Sequence, residues 1–225
     1  MVAISDHEFA IFGGQGECGK ASYFKGKEEN NETLRIRALA HRRLLKDMWV
    51  FNVRENAWRE VDELPTWPSP RRGHSMVYSQ LSHQLVLFGG TKIDPMWDLE
   101  LAISEIWTFD LHNWEWTQIS FSGSGPSPRF EHSATVTESG CEMVVLGGLT
   151  NSSMTYKGIG GCESEYRWSV PQEGCFSFHI PSSTWTCIDV RSLGDSAGHL
   201  LAYHGHTAQV SPISSLFPNI KPFYT

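Results

Sequence analysis

Three short apolar runs along the chain each end in a pair of glycines. Phe9–Phe12 precedes Gly13-Gly14, Leu85–Phe88 precedes Gly89-Gly90, and Met143–Leu146 precedes Gly147-Gly148. Apolar runs this short, bounded by turn residues, predict strands covered on both faces. The glycines let the chain leave the strand through positive φ, which a Cβ would penalise. Downstream of each run a segment alternates aromatic with polar positions: Asp47–Val53, Glu105–Leu111 and Cys175–Ile180, a second set of strands. Phe51, Phe109 and Phe178 in these segments are each followed seven residues later by Trp58, Trp116 and Trp185, and three residues further on by Val61, Ile119 and Ile188. Asn56, Asn113 and Ser182-Ser183 lie between, where short polar side chains support a turn, so each Trp opens a further strand. Small-residue segments at Ser75–Ser79 and Ser133–Thr137 predict a strand ahead of the glycine-terminated ones Gln84–Phe88 and Glu142–Leu146.

One more element repeats. Pro68-Ser-Pro-Arg71-Arg72-Gly-His74-Ser returns as Pro126-Ser-Pro-Arg129-Phe130-Glu-His132-Ser, and both histidines stand 15 residues before the glycine pair. Tyr203-His-Gly-His206 is a weaker echo. This succession of glycine-paired strand, variable insertion, aromatic strand and Trp-led strand resembles the kelch repeat over nearly the whole chain. The resemblance implies an all-β fold, a kelch-type β-propeller with four-stranded blades whose strands run A to D in chain order. It also implies that Trp58, Trp116 and Trp185 pack between adjacent blades, where each contributes roughly 3–5 kcal/mol. Residues 1–210 are then a partial propeller, with blade segments 1–64, 73–121 and 131–190 and the start of another at 203–210; residues 211–225 form an irregular tail. Closed propellers have 4–8 blades, so about three make an incomplete ring, and a longer parent with further blades is the expectation.

Chain topology puts each B–C connection at the same end of a blade as the D–A link that leads to the next. The B–C insertions, 15–46, 91–104 and 149–173, are long, and loops of that length carry function more often than short ones. The first insertion carries eight Lys or Arg against four Glu, a +4 appendage on a body of −11 when the whole chain is −7. Within it Thr33–Lys46 has helical spacing, with Leu34, Ala38, His41 and Leu45 on one side and Arg35, Arg42 and Lys46 on another, next to Arg43. Either this helix lies against its own acidic body, or it docks an acidic protein or lipid headgroup. Trp97 in the second insertion and Tyr166, Arg167 and Trp168 in the third are of the residue types that dominate interface energetics. Arg71, Arg72, Arg129 and Phe130 share the face of the insertions and join them as candidate partner contacts. For Arg71 and Arg129 the competing reading is structural, donation to carbonyls at the blade junction.

Composition narrows the chemistry. Nine Trp and twelve Phe beside 20 Gly suit a β repeat. The net acidic balance disfavours binding to nucleic acid phosphates. No apolar stretch approaches the roughly 20 residues of a membrane-spanning helix, and the N-terminal residues lack a secretory pattern. Five cysteines without a CxxC pair suggest free thiols in a reducing, cytoplasmic setting rather than a zinc site. His206 aligns with His74 and His132, so the cluster with His199 and His204 is explained by the repeat and no metal is expected. No phosphate loop, nucleophile elbow or cofactor motif occurs. The resemblance implies a non-catalytic protein-binding module, such as a scaffold, adaptor or substrate receptor, contacting another protein through the B–C and D–A face. The kelch portion of a larger enzyme is the other reading.

Overall fold

The computed structural model describes residues 1–16, 43–94, 99–151, 168–169 and 174–188. Every regular element among them is a β-strand. The first sheet runs β1 (Val2–Ala3), β2 (Glu8–Gly16), β3 (Arg43–Asn52) and β4 (Ala57–Val61), each antiparallel to the next. The second has the same order in β5 (Ser75–Ser79), β6 (Gln84–Phe88), β9 (Ile106–Asp110) and β10 (Glu115–Ile119). The third has β12 (Ser133–Val136), β13 (Glu142–Leu146), β16 (Cys175–His179) and β17 (Thr184–Ile188). These are strands A to D of three propeller blades. The link strand β11 (Ser122–Gly123) adds a fifth, parallel member at the outer edge of the third.

Why strand B is apolar at every position follows from what covers it. In β6, Leu85 and Leu87 pack with Ala10 and Phe12 of the first sheet, while Val86 and Phe88 pack with Met143 and Val145 of the third. Both faces of the strand are therefore core, and period-2 alternation disappears. At the tight ends the conformations are dictated by the turn. Asn56, Trp114 and Ser183, two residues before each strand-D Trp, all take positive φ (49°, 60° and 54°). Asn52 and Asp110 cap the same turns: each Oδ1 accepts two backbone N–H groups, from Arg54 and Glu55 and from His112 and Asn113.

Two expectations change. Arg43–Lys46 is not the end of a helix but the start of β3, paired with Gly14, Gln15 and Gly16 across an irregularity between Phe12 and Gly14. Ladder hydrogen bonds and the burial of Leu44 outweigh the helical spacing; the rest of that segment, with Arg35 and Arg42, lies outside the described residues. Likewise 91–104 is less a loop than a hairpin, β7 (Thr91–Asp94) with β8 (Leu99–Ala102), and in 149–173 β14 (Thr150–Asn151) pairs with β15 (Trp168–Ser169).

The three tryptophans do not share one environment. Trp116 and Trp185 are buried, but Trp58 is 52% exposed and meets Phe51 of its own sheet, ring centroids 4.8 Å apart. Each buried Trp is covered by the sheet before it, and no described sheet precedes the first.

Candidate protein-interaction face

The Ser-Pro-Arg element is the joint between blades. Arg71 and Arg129 bond alike: Nε donates to the carbonyl of Ser69 or Ser127, at 3.1 and 3.2 Å, and Nη1 to the carbonyl of Gly89 or Gly147, at 3.3 and 2.9 Å. Their own carbonyls accept from the preceding blade, Gly14 N to Arg71 at 2.8 Å and Gly90 N to Arg129 at 2.9 Å. Each arginine thus closes the glycine turn of its own blade and holds the turn of the one before. Both side chains are fully buried, so they are not partner contacts, and Phe130, 2% exposed, is not one either. A guanidinium has enough fixed donors to satisfy several carbonyls, and this site uses them.

Arg71 also meets Glu105 at 2.6 Å, and Glu105 accepts from Lys92 Nζ (2.9 Å) and Trp107 Nε1 (3.1 Å). Burial pushes the Glu105 carboxyl up, but the bonds from Lys92, Arg71 and Trp107 and the Arg71 charge outweigh it and hold the pKa at about 2. Burial in turn pulls the Arg71 pKa down against the Glu105 bond and charge. His74 stands beside this joint with its ring edge-on to Phe12, 5.7 Å between centroids. Burial first, and then the Arg71 charge, lower its pKa to about 3, against a hydrogen bond to the Phe12 backbone. Its counterpart His132 bonds Ser75 Oγ at 2.8 Å and packs on Phe88.

The residue after each arginine begins the outer surface. Arg72 pairs with Thr91, and Phe130 with Leu149, as isolated bridges that tie each D–A link to the B–C arm of the blade it enters. Links and arms therefore emerge together. Arg72 is part-buried and clamps Glu100 of β8 with two bonds, at 2.5 and 2.9 Å; Thr91 also donates to Glu100, and Glu131 stands 3.8 Å from Arg72. Neighbouring arms are joined as well: the Ala102 N–H donates to Asn151 Oδ1 at 2.7 Å. Lys92, Ile93 and Arg43 reach solvent on this side. Between the first arm and the first link an open cleft of about 510 Å³ is lined by Leu45, Lys46, Glu60, Asp62, Trp67 and Pro70. Trp67 donates to the Lys46 carbonyl at 2.7 Å, and Lys46 bonds Glu63 across the mouth.

Of the sequence candidates, Arg72 and Arg43 are on this face. Trp97, Tyr166, Arg167, Arg35 and Arg42 lie outside the described residues, and of Trp168 only its backbone pairing with Asn151 is described. The His199, His204 and His206 cluster is outside them too; no metal-binding group of three is present among the described residues. No helix among them is long and apolar enough to cross a membrane. Sequence reasoning missed Glu105, Glu100, Asn151 and Trp67. Glu105 had a signal, since Asp47 stands at the same place in its strand and accepts from Trp49 as Glu105 does from Trp107.

Sheets in series, joined strand B to strand D, define a propeller segment. The chain belongs to the kelch-repeat family: the KLHDC2/KLHL20/DRC7 Kelch-repeats domain matches residues 1–193. It is 30% identical over 111 residues to Kelch domain-containing protein 10 of Rattus norvegicus, covering 48% of this chain and 24% of that protein. To Acyl-CoA-binding domain-containing protein 5 of Arabidopsis thaliana it is 28% identical over 131 residues, 58% of this chain and 19% of the relative. To Host cell factor 1 of Rattus norvegicus it is 25% identical over 170 residues, 72% and 8%. The match thus spans about a quarter or less of these relatives' lengths. Kelch-repeat domains are in general protein-interaction scaffolds without catalytic chemistry of their own.

Proposed function

We propose that the chain holds a protein partner, as an adaptor, scaffold or substrate receptor does, on the face built by its B–C arms and D–A links. The observation that carries this reading is the tie between Ala102 and Asn151, which joins the arms of neighbouring blades into one ridge. The described part of that ridge is held by main-chain pairing within each arm as well as by the tie between them, which limits the conformational entropy lost there on contact. The ridge offers Ile93 as an apolar contact beside Lys92 and the Arg72–Glu100 pair, and the cleft beside Trp67 offers a concave neighbour to it. Among the described residues the opposite end carries short A–B and C–D turns.

Photo-crosslinking distinguishes the two ends. With a photoreactive residue at Ile93, partner adducts form; with one at Leu81, in an A–B turn and 62% exposed, they do not. Adducts from Leu81 alone reject this face.

A further inference from the structure

At the end of the second sheet away from the arms, two turns bring a pair of imidazoles together. His83 sits half-buried in the A–B turn, and His112 lies exposed in the C–D turn. Their ring centroids are 4.5 Å apart and the planes are inclined by 44°. Behind them Tyr78, packed against the core, holds His83: its hydroxyl stands 2.7 Å from Nδ1. The backbone under both rings is fixed as well. The Leu111 N–H donates to the His83 carbonyl, and the His112 N–H donates to Asp110 Oδ1 at 2.7 Å.

The repeat does not call for these three side chains. The same backbone bond closes the turns of the first and third sheets, from the Val53 N–H to the His7 carbonyl and from the Ile180 N–H to that of Cys141. In those sheets Arg54 and Pro181 stand at the place of His112, and Ala3 and Val136 occupy the register of Tyr78. The turn therefore folds without a ring pair. Of the three sheets, the one with the pair is also the one with a tyrosine to orient it.

We infer that His83 and His112 form a binding site for a divalent first-row transition ion of the kind that takes nitrogen ligands at right angles, as copper and nickel do. The separation of the rings carries this. An imidazole nitrogen meets such an ion at about 2.0–2.1 Å, which puts the ring centre about 3.2 Å from it, and two rings at a right angle around one ion then stand about 4.5 Å apart. With the Nδ1 proton of His83 donated to the Tyr78 oxygen, the Nε2 lone pair is left for the ion, as a ligating histidine is usually oriented. His112, being exposed, can turn a ring nitrogen to the same point. Asp110 has Oδ1 committed to the His112 and Asn113 N–H groups, so water fills the remaining positions and the ion exchanges readily. The site lies away from the arms and stands independently of the partner face.

Calorimetric titration of the whole chain with nickel(II), an ion that leaves the cysteines unoxidised, tests the site. The wild type is expected to bind one ion that His112→Ala loses, while any ion held elsewhere in the chain remains. His112 is exposed, so this variant keeps the β circular dichroism. His83→Asn, chosen because asparagine tolerates the positive φ of 54° at that position, is expected to lose the same ion. Tyr78→Phe keeps both ligands and should weaken binding by about tenfold. Equal nickel binding by the wild type and His112→Ala overturns the proposal. Loss in only one of the two histidine variants overturns it too, because a single histidine would then act with other groups. A Tyr78→Phe variant that binds as the wild type does overturns the orientation assigned to His83.

Discussion

At the scale of single residues, the joints depend on polar groups held in one charge state. Arg71 and Glu105 are satisfied on all sides, and His74 is kept neutral beside the buried guanidinium. In the unfolded chain His74 takes a proton near its ordinary 6.5, but in the fold only near 3. On acidification the unfolded form therefore binds the proton first, and the stability present above pH 6.5 is lost progressively as the pH falls toward 3. Glu105 acts in the same direction over a lower window, from its ordinary 4.5 down to about 2. Between pH 6.5 and 5, then, His74 supplies a slope of at most about 1.4 kcal/mol per pH unit. His74→Gln should flatten that part of the profile, read as the urea midpoint at pH 7 and pH 5. A slope unchanged by the substitution would show that His74 protonates freely in the fold.

At the scale of the element, the glycine pair is needed for two reasons, one of which the sequence alone does not contain. Positive φ is the familiar one, and Gly89 has φ of +66°. The other is distance: a Cβ on Gly89 would lie 2.6 Å from the Arg129 carbonyl oxygen, the atom that also receives the Gly90 N–H. Gly89→Ala is expected to cost about 2–3 kcal/mol, from the left-handed backbone and the displaced hydrogen bond together. Gly16→Ala, in a strand with only the flexible end of Leu45 beside it, should stay within about 0.5 kcal/mol. Chemical denaturation of the two variants separates the cases. The strands were legible because burial on both faces writes itself into β6 as an unbroken apolar run, which β2 and β13 repeat although one face of each is only half-buried, and because Trp spacing reports the turn. The arms were not. Arg43–Lys46 has helical periodicity, and only pairing with Gly14–Gly16, across a long stretch of sequence, makes it a strand. The roles of Arg71 and Arg129 stood open between surface and joint for the same reason: a repeated arginine is equally repeated in either place, and burial decides.

At the scale of the whole molecule, stability is divided among sheets and the joints between them, as in other stacked repeats where each unit touches only its neighbours. Trp116 and Trp58 measure the two contributions separately, because they occupy the same position in the repeat and differ only in having a sheet against them. Trp116 lies among Phe12, Phe109 and Trp67 at ring separations of 5.1–6.3 Å. Trp58 has Phe51 and solvent. Trp116→Ala should destabilise by about 3–5 kcal/mol, the usual cost of removing a buried aromatic. Its loss falls on the joint, so the first sheet should unfold at lower urea than the other two and the transition should broaden. Trp58→Ala should cost no more than about 0.5 kcal/mol and leave the transition sharp. Equal losses at the two positions would mean that the tryptophans stabilise their own sheets rather than the joints, and the packing of Phe12 on Trp116 and of Phe88 on Trp185 would then not be what makes three sheets behave as one body.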